Sequence, residues 1–184
     1  MDALEALLNR TSVPKLTDPP PGDQCLENIC KAALRAADHG VLRPWRFLMI
    51  SGDSRHKLGD LFVEAAAAKD PTLDSMALER IRQKPLRAPL IIITISSHQE
   101  HPKVPELEQD LSAAAATQNM LLAAYAQDVG AFWRTGSMAY DPKVKAGLGL
   151  AANEKLIGFL YLGKQNCATR RVADPNTAEY FQNW

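Results

Sequence analysis

The stretch that most constrains this chain is Leu111–Gln127, which contains no charged side chain. Alanine, the best helix former, recurs along it, and apolar residues occupy nearly every face of the helix it predicts. Such a helix must be covered by other elements or by a second subunit, and its small side chains let neighbours approach closely. With an amphipathic start at Glu106, after Pro105, we predict a helix of about twenty residues, roughly 30 Å long.

The clearest strand is Leu90–Ile95, where β-branched residues follow one another without polar alternation. This pattern is typical of a strand buried on both faces, so we place it centrally in a sheet. Further strands are predicted at Trp45–Ser51, Val129–Thr135 and Leu156–Gly163. Helices are predicted at about 3–9, 23–37, 55–69 and 73–84, and from Asp141-Pro142 onward. Together these elements predict a layered α+β domain.

The length of 184 residues fits one domain, 1–184, that ends in an extended tail over residues 164–184. The formal net charge of zero gives no electrostatic reason to expect nucleic acid or a membrane surface as a partner. The tail carries Tyr180, Phe181 and Trp184, and disordered tails are usually poor in aromatic residues. We therefore expect the tail to dock on its own domain or on a partner.

Cysteine content and hydropathy suggest the compartment. The three cysteines form no C-x-x-C pair, so we expect reduced thiols. The first residues lack the basic region of a secretory signal, and the longest apolar runs are shorter than a membrane span. These features predict a soluble, cytoplasmic protein.

The motifs of several enzyme classes are missing. We find no P-loop, nucleophile elbow or G-x-G-x-x-G, which argues against a nucleotide kinase, a hydrolase or a dinucleotide-binding Rossmann domain. His98, Glu100 and His101 could ligate a metal, but they lie in a predicted loop, so we expect no metal site. Glu108 and Asp110 are interpreted as the solvated acidic start of the long helix.

Scattered polar residues remain at the ends of the predicted elements. Arg10-Thr11-Ser12 offers a cation and two hydroxyls at a helix exit, which can bind phosphate, although taken alone the residue is better explained as a solvated arginine that caps the helix. Arg35, His39 and Trp133-Arg134-Thr135 are similar polar groups at the ends of elements. Together they could line a site for a planar, phosphate-bearing cofactor, but the residue pattern alone does not decide this.

The order and spacing of several short segments resemble the FMN-dependent nitroreductase family along most of the chain, especially its small bacterial NAD(P)H nitroreductases. The segments are Asn-Arg-Thr-Ser (9–12), Arg-Ala-Ala-Asp-His (35–39), Arg-Pro-Trp-Arg-Phe (43–47), Arg-Ala-Pro-Leu-Ile-Ile (87–92), Phe-Trp-Arg-Thr-Gly (132–136) and Ile-Gly-Phe-Leu-Tyr-Leu-Gly (157–163). The resemblance implies a three-layer α+β fold, with a central mixed or antiparallel sheet between helices. It also implies a homodimer with the long helix at its interface.

The function implied by this resemblance is that of an FMN oxidoreductase. NAD(P)H would be the reductant, and nitroaromatics, quinones or related small molecules would accept the electrons by ping-pong hydride transfer. The flavin would carry the chemistry, so no side chain is assigned a catalytic role. The alternative is a dimeric flavin-binding protein of the same fold with a different role.

The resemblance also assigns the cofactor contacts, in two FMN sites at the subunit interface. Arg10, Thr11 and Ser12 would bind the FMN phosphate and ribityl region. Arg35 and His39 would contact FMN from the same subunit. The group Trp133, Arg134 and Thr135 would approach it from the other subunit, and the tail would dock on the partner.

Three positions depart from the family pattern. Thr11 stands where the family often has arginine or serine, Arg43 stands where a glutamine or similar residue precedes Pro-Trp, and Asp128 replaces a glycine after the long helix. These departures put the preferred acceptor and reductant in question more than flavin binding.

Overall fold

The fold is described from a computed structural model that covers residues 2–169 and 171–184; Arg170 of the predicted tail lies outside this part. The helices are α1 (Ala3–Asn9), α2 (Asp23–Ala33), α3 (Ser54–Lys69), α4 (Ser75–Arg82), α5 (Glu106–Tyr125), α6 (Ser137–Tyr140) and α7 (Pro142–Gly147). The strands are β1 (Leu16–Thr17), β2 (Trp45–Ser51), β3 (Leu90–Ser97), β4 (Gly130–Arg134) and β5 (Glu154–Gln165). Short 3₁₀ turns occur at His39–Val41, Lys84–Arg87 and Thr177–Glu179.

The sheet is built around β5, the longest strand. It pairs with β3 along most of its length and also with β4 and β1, while β2 pairs with the far side of β3. All of these pairings are antiparallel. Strand β3 therefore lies inside the sheet, as its unbroken apolar run predicts, and every residue from Leu90 to Ser96 is buried.

Helices cover the sheet on both faces, which gives three layers. Along β3, Ile91, Ile93 and Ile95 pack with α3, α6 and α7, whereas Leu90 and Ile92 pack with α2 and α5. This alternation follows from the two-residue period of a strand. The predicted α+β architecture is confirmed.

Helix α5 packs closely on the sheet through small residues. Ala113, Ala116 and Ala124 are fully buried. Thr117 is also buried, and its Oγ1 donates a hydrogen bond to Oγ1 of Thr94 on β3, 2.8 Å away. Because alanine has a short side chain, the helix axis lies close to the strands.

The other side of α5 is not covered within one chain. Leu107 and Leu111 on this helix are more than half exposed, as are Leu4, Leu7 and Leu8 on α1. The sequence predicts that this helix is covered by other elements or by a second subunit. Within one chain, other elements cover only one side of it.

Helix α2 ends earlier than its sequence predicts. The run from Leu34 to Ala37 favours helix, but the helix ends at Ala33. Asn119 of α5 donates a hydrogen bond from Nδ2 to the backbone oxygen of Ala32, 3.1 Å away. The amides of Arg35 and Ala36 bond the carbonyls three residues earlier, so the chain leaves α2 through a tighter turn, with the Asn119 contact at the same carbonyl.

The tail beyond β5 does not dock on its own domain. Tyr180, Phe181 and Trp184 are each more than two-thirds exposed. Docking on a partner therefore stays a prediction. Among the helices described, none is long and apolar enough to cross a membrane.

An ion pair joins β2 to β5 across β3. Arg46 donates two hydrogen bonds to the carboxylate of Glu154, from Nε to Oε1 and from Nη2 to Oε2, both 2.6 Å long. The hydrogen bond from Arg46 is the main reason that the pKa of Glu154 falls from 4.5 to about 2. Such a two-point pair fixes geometry as well as charge.

The ion pair between Arg46 and Glu154 predicts that the free energy of unfolding falls at acidic pH. Because the pKa of Glu154 is lower in the folded than in the unfolded chain, its contribution is fully present above about pH 4.5 and is lost as the pH falls through about 2. In Glu154→Gln, the free energy of unfolding should depend less on pH across this window. Urea unfolding at several pH values measures this, with Glu64→Gln on α3 as control. Equal slopes for both variants would contradict the prediction.

Candidate functional site

Contacts along α5 locate the predicted site residues relative to one another. Helix α2 runs antiparallel to α5: Asn28 donates a hydrogen bond to Gln127 at one end, 2.8 Å long, and Asn119 reaches Ala32 further along. The chain after α2 continues in the same direction until Nδ1 of His39 contacts Oε2 of Glu108. Residues 23–39 therefore follow α5 from its C-terminal end to its N-terminal end.

The Arg10-Thr11-Ser12 segment lies at the C-terminal end of α5. Thr11 lines a cavity of about 290 Å³ together with Tyr125 and Asp128. Nη1 of Arg10 donates a hydrogen bond to Oγ of Ser12, 3.4 Å away, so the cation and the hydroxyl are adjacent. This arrangement offers a positive charge beside a hydroxyl, as phosphate binding requires.

Strand β4 lies directly beside this segment. The Val13 amide donates a hydrogen bond to the Ala131 carbonyl, 2.9 Å away, and Nη2 of Arg134 reaches the Pro14 carbonyl at 3.5 Å. Val13 and Pro14, which directly follow Arg10–Ser12, therefore contact β4 within one chain.

His39 lies far from this grouping within one chain. His39 contacts Glu108, seventeen residues before Tyr125, which corresponds to a separation of about 25 Å along α5. Arg35 directly follows α2, and its side chain is exposed. Within one chain, Arg10–Ser12 is thus close to β4 and far from His39, and the division of the flavin contacts between subunits stays a prediction.

A second cavity, of about 480 Å³, opens at the end of β4. Its walls combine aromatic rings with three cations and contain no acidic side chain: Phe62, Lys84, Arg87, Phe132, Trp133, Arg134, Thr135, Gly136, Ser137, Met138, Phe159 and Tyr161. All three residues of the predicted 133–135 group lie on it. A planar ligand that carries negative charge suits such walls in shape and in charge.

Arg134 is the most constrained of these cations. Burial lowers the pKa of its guanidinium, and the neighbouring Arg87 lowers it further. The guanidinium carbon lies 4.0 Å from the centre of the Phe132 ring, while Nε is buried without a hydrogen-bond partner among residues 2–169 and 171–184. A buried donor without a partner is costly, so an acceptor from a ligand would stabilise it.

Tyr161 is an uncharged wall of the same cavity. Its burial raises the pKa of the phenol to about 12, against a smaller opposing effect of Arg134 and Arg87. The phenol is therefore neutral at physiological pH. Indole Nε1 of Trp133 is also buried without a partner in the described part of the chain.

Sequence reasoning missed Lys84 and recognised Arg87 only as the start of a family segment. Both belong to the 3₁₀ turn that precedes β3. The available signal was a pair of basic residues just before a buried strand, but nothing in their spacing relates them to Arg134. Their grouping exists only once β3, β5 and β4 are aligned in the sheet.

The acidic start of α5 differs from the prediction for one of its two residues. Asp110 is buried, and it accepts hydrogen bonds from Nε2 of His98 (2.8 Å) and Nζ of Lys155 (2.5 Å). Burial opposes its charge, but these two bonds lower the pKa of its carboxyl overall. His98 is thus a partner of Asp110. No cluster of three or more His, Cys, Asp or Glu side chains suited to a metal ion occurs in the described ranges.

Asp128, one of the three positions that depart from the family pattern, has a left-handed backbone conformation. Its φ of 57° ends α5, and the amide of Val129 donates back to the carbonyl of Ala124. Glycine is favoured in such a cap, which is consistent with the glycine that the family resemblance predicts there. Aspartate tolerates the conformation better than most residues do.

The side chain of Trp133 packs against a glycine of β5. A Cβ at Gly158 would lie 2.1 Å from Nε1 of Trp133 and 3.0 Å from the Arg134 carbonyl. We expect Gly158→Ala to lower the free energy of unfolding by about 1–3 kcal/mol, because the indole and β4 must shift. Adding Trp133→Leu should recover part of the loss, as urea unfolding will show. A Gly158→Ala variant as stable as the wild type would contradict this packing.

The comparisons with known proteins agree with this fold. A family model described as the Nitroreductase family matches residues 7–164. The chain belongs to the Nitroreductase family and is therefore classed as an oxidoreductase. Among its relatives, YdjA of Escherichia coli strain K12, provisionally named an NAD(P)H nitroreductase, is 40% identical over 163 residues, which cover 89% of this chain and 88% of YdjA.

Solved structures with this fold cover the whole chain. The nitroreductase-like family protein from Bacillus cereus superposes with a TM-score of 0.85 at 22% identity, covering 100% of this chain and 96% of that one. A nitroreductase from Bacteroides fragilis, solved with bound FMN, gives a TM-score of 0.75 at 22% identity, with 100% and 99% covered. The predicted family and fold class are confirmed.

Proposed function

We propose that this protein is an FMN-dependent oxidoreductase that takes electrons from NAD(P)H and passes them to nitroaromatic, quinone or related acceptors. The observation that carries the proposal is the grouping of Arg10–Ser12 with Trp133–Thr135 beside a cationic, aromatic cavity. The name of YdjA, and the FMN bound in the Bacteroides fragilis structure, support the choice of reductant and cofactor.

The Arg10–Ser12 segment and the larger cavity fit FMN in two respects. Arg10, Thr11 and Ser12 supply a cation and hydroxyls for a phosphate. The larger cavity supplies aromatic walls and a buried, unpartnered donor on Arg134, which suit the oxygen and nitrogen acceptors of a flavin ring.

The chemistry that FMN supplies is hydride acceptance from NAD(P)H and hydride donation to the second substrate, in ping-pong order. The side chains set the conditions for it. Lys84 and Arg134 place positive charge in the cavity, which offsets negative charge gained on reduction. The Tyr161 phenol stays neutral and adds no charge to the wall that it forms. No side chain is required as a nucleophile or a general base.

The site requires a second subunit in this proposal. The exposed leucines of α1 lie near the C-terminal end of α5, whereas Leu107 and Leu111 lie near its N-terminal end. Two α5 helices packed antiparallel would cover both sets and bring Arg35 and His39 of one subunit to the phosphate segment of the other. The aromatic tail would then dock on the partner.

The role of Arg10 can be tested by Arg10→Ala. We expect FMN affinity to fall roughly ten- to hundredfold, because a charge-assisted contact to phosphate is lost. Fluorescence titration with FMN measures this, and Arg80→Ala on α4 removes an exposed arginine elsewhere as a control. Equal affinities for the wild type and Arg10→Ala would exclude Arg10 from the site.

The function itself is tested with the purified protein. It should show a flavin absorbance spectrum, either as isolated or after addition of FMN, and NADH or NADPH should bleach this spectrum without oxygen. A protein that takes up no FMN would contradict the proposal. Bound FMN that neither nucleotide reduces would favour the alternative, a flavin-binding protein of this fold with another role.

The dimer can be tested at Leu111, which lies on the exposed side of α5. Leu111→Glu should weaken both dimerisation and FMN binding while the monomer remains folded, because the residue contributes little to its own core. Analytical ultracentrifugation and FMN titration measure the two effects. Met76→Glu makes the same change at an exposed position on α4 and should alter neither. A fully dimeric Leu111→Glu protein would contradict the proposed interface.

A further inference from the structure

The loop of residues 38–43, which carries His39, has a strained backbone. Gly40, Val41 and Arg43 have φ values of 78°, 55° and 50°. For Val41 this is a genuine outlier, because a β-branched side chain is crowded in the left-handed region, and its side chain is 73% exposed. Such conformations persist only where the surroundings hold them, and they often occur at functional sites.

Three side chains hold this loop. Oδ2 of Asp38 accepts a hydrogen bond from the Arg43 amide, 2.6 Å away. Glu108 contacts His39, as described above. Nε2 of Gln99 donates a hydrogen bond to the carbonyl of Leu42, 2.7 Å away. Leu42 lies between the strained residues Val41 and Arg43.

Gln99 is itself fixed to α5 by a buried glutamine. The backbone amide of Gln99 donates to Oε1 of Gln109, and Nε2 of Gln109 donates back to the Gln99 carbonyl, both at 2.9 Å. Gln109 is 1% exposed, and its Nε2 also reaches the Val104 carbonyl at 3.3 Å. The side-chain amide of Gln109 is buried and bonds three backbone groups, two of which belong to Gln99. The backbone of Gln99 therefore has little freedom to move.

A chain of hydrogen bonds therefore runs from the core of α5 to the loop. We propose that Gln99 and Gln109 are positioning residues that hold loop 38–43 in its strained form and so present His39 to the FMN site of the second subunit. The assignment rests on the proposed function. Gln109 fixes the backbone at residue 99, and the side chain of Gln99 restrains the loop.

Loss of the Gln99 donor would let the loop relax to unstrained conformations. Only the fraction of molecules with the native loop would then bind FMN normally, and the apparent affinity would fall by that fraction. Because Gln99 is exposed and lies outside the core, the global stability of the fold should change little.

The experiment compares Gln99→Met with Gln83→Met. Methionine matches glutamine in length but has no donor. Gln83 is also an exposed glutamine, whose Nε2 donates to Glu79 on α4 at 2.6 Å, away from the loop. Hydrogen exchange of residues 38–44, measured by mass spectrometry on the FMN-free full-length protein, reports loop opening. Fluorescence titration reports FMN affinity, and thermal unfolding reports global stability.

In Gln99→Met we expect exchange in the loop to rise about fivefold and FMN affinity to fall by a similar factor, with an unchanged thermal midpoint. Gln83→Met should match the wild type in all three. Gln99→Lys keeps a donor on a side chain of similar length and should restore both loop protection and affinity.

Unchanged exchange and affinity in Gln99→Met would overturn the positioning role, as would a failure of Gln99→Lys to restore them. Faster loop exchange in Gln99→Met, combined with a wild-type protein that binds no FMN, would support the restraint of the loop by Gln99 and overturn the proposed function alone.

Discussion

The close packing of α5 on the sheet is the contact on which the rest of the structure depends. Alanines at 113, 116 and 124 remove the bulk that would keep the helix away from the strands, and the buried Thr117–Thr94 hydrogen bond joins helix to sheet. The helix is continuous for twenty residues. Segments that pack against the two ends of α5 are therefore held about 25–30 Å apart.

This separation determines what one chain can do. The Arg10–Ser12 segment lies at the C-terminal end of α5, while the His39 loop lies at its N-terminal end. Under the proposed function these are two partial sites that one chain cannot join. In the proposed dimer, a two-fold axis would join the partial sites of different subunits and would cover the exposed leucines at the same time. Cofactor binding and association would then be thermodynamically linked.

Local patterns predicted the main elements well. Helix α5 and strand β3 follow directly from apolar runs whose period is visible in the sequence, and β2 matches its predicted bounds. The early end of α2 was missed because the turn there includes a contact between the Ala32 carbonyl and Asn119, far along the chain. Asp110 was misread for the same kind of reason, since its partner Lys155 lies on β5.

The candidate site was harder to predict than the fold. The resemblance named Arg10–Ser12, Arg35, His39 and 133–135, and their roles toward FMN remain proposals. It could not relate Lys84 and Arg87 to Arg134, because sheet register alone brings them together. The division of these residues between subunits stays a prediction, since it depends on how the α5 helices of two chains pack together.

The most direct test of the shared site is subunit complementation. Arg10→Ala and His39→Ala homodimers, each weak in FMN binding, are mixed under conditions that exchange subunits. If Arg10 and His39 come from different subunits, each mixed dimer contains one intact site, and about a quarter of all sites should regain wild-type FMN affinity after random exchange. No recovery, with mixed dimers shown to have formed by native mass spectrometry, would contradict the account.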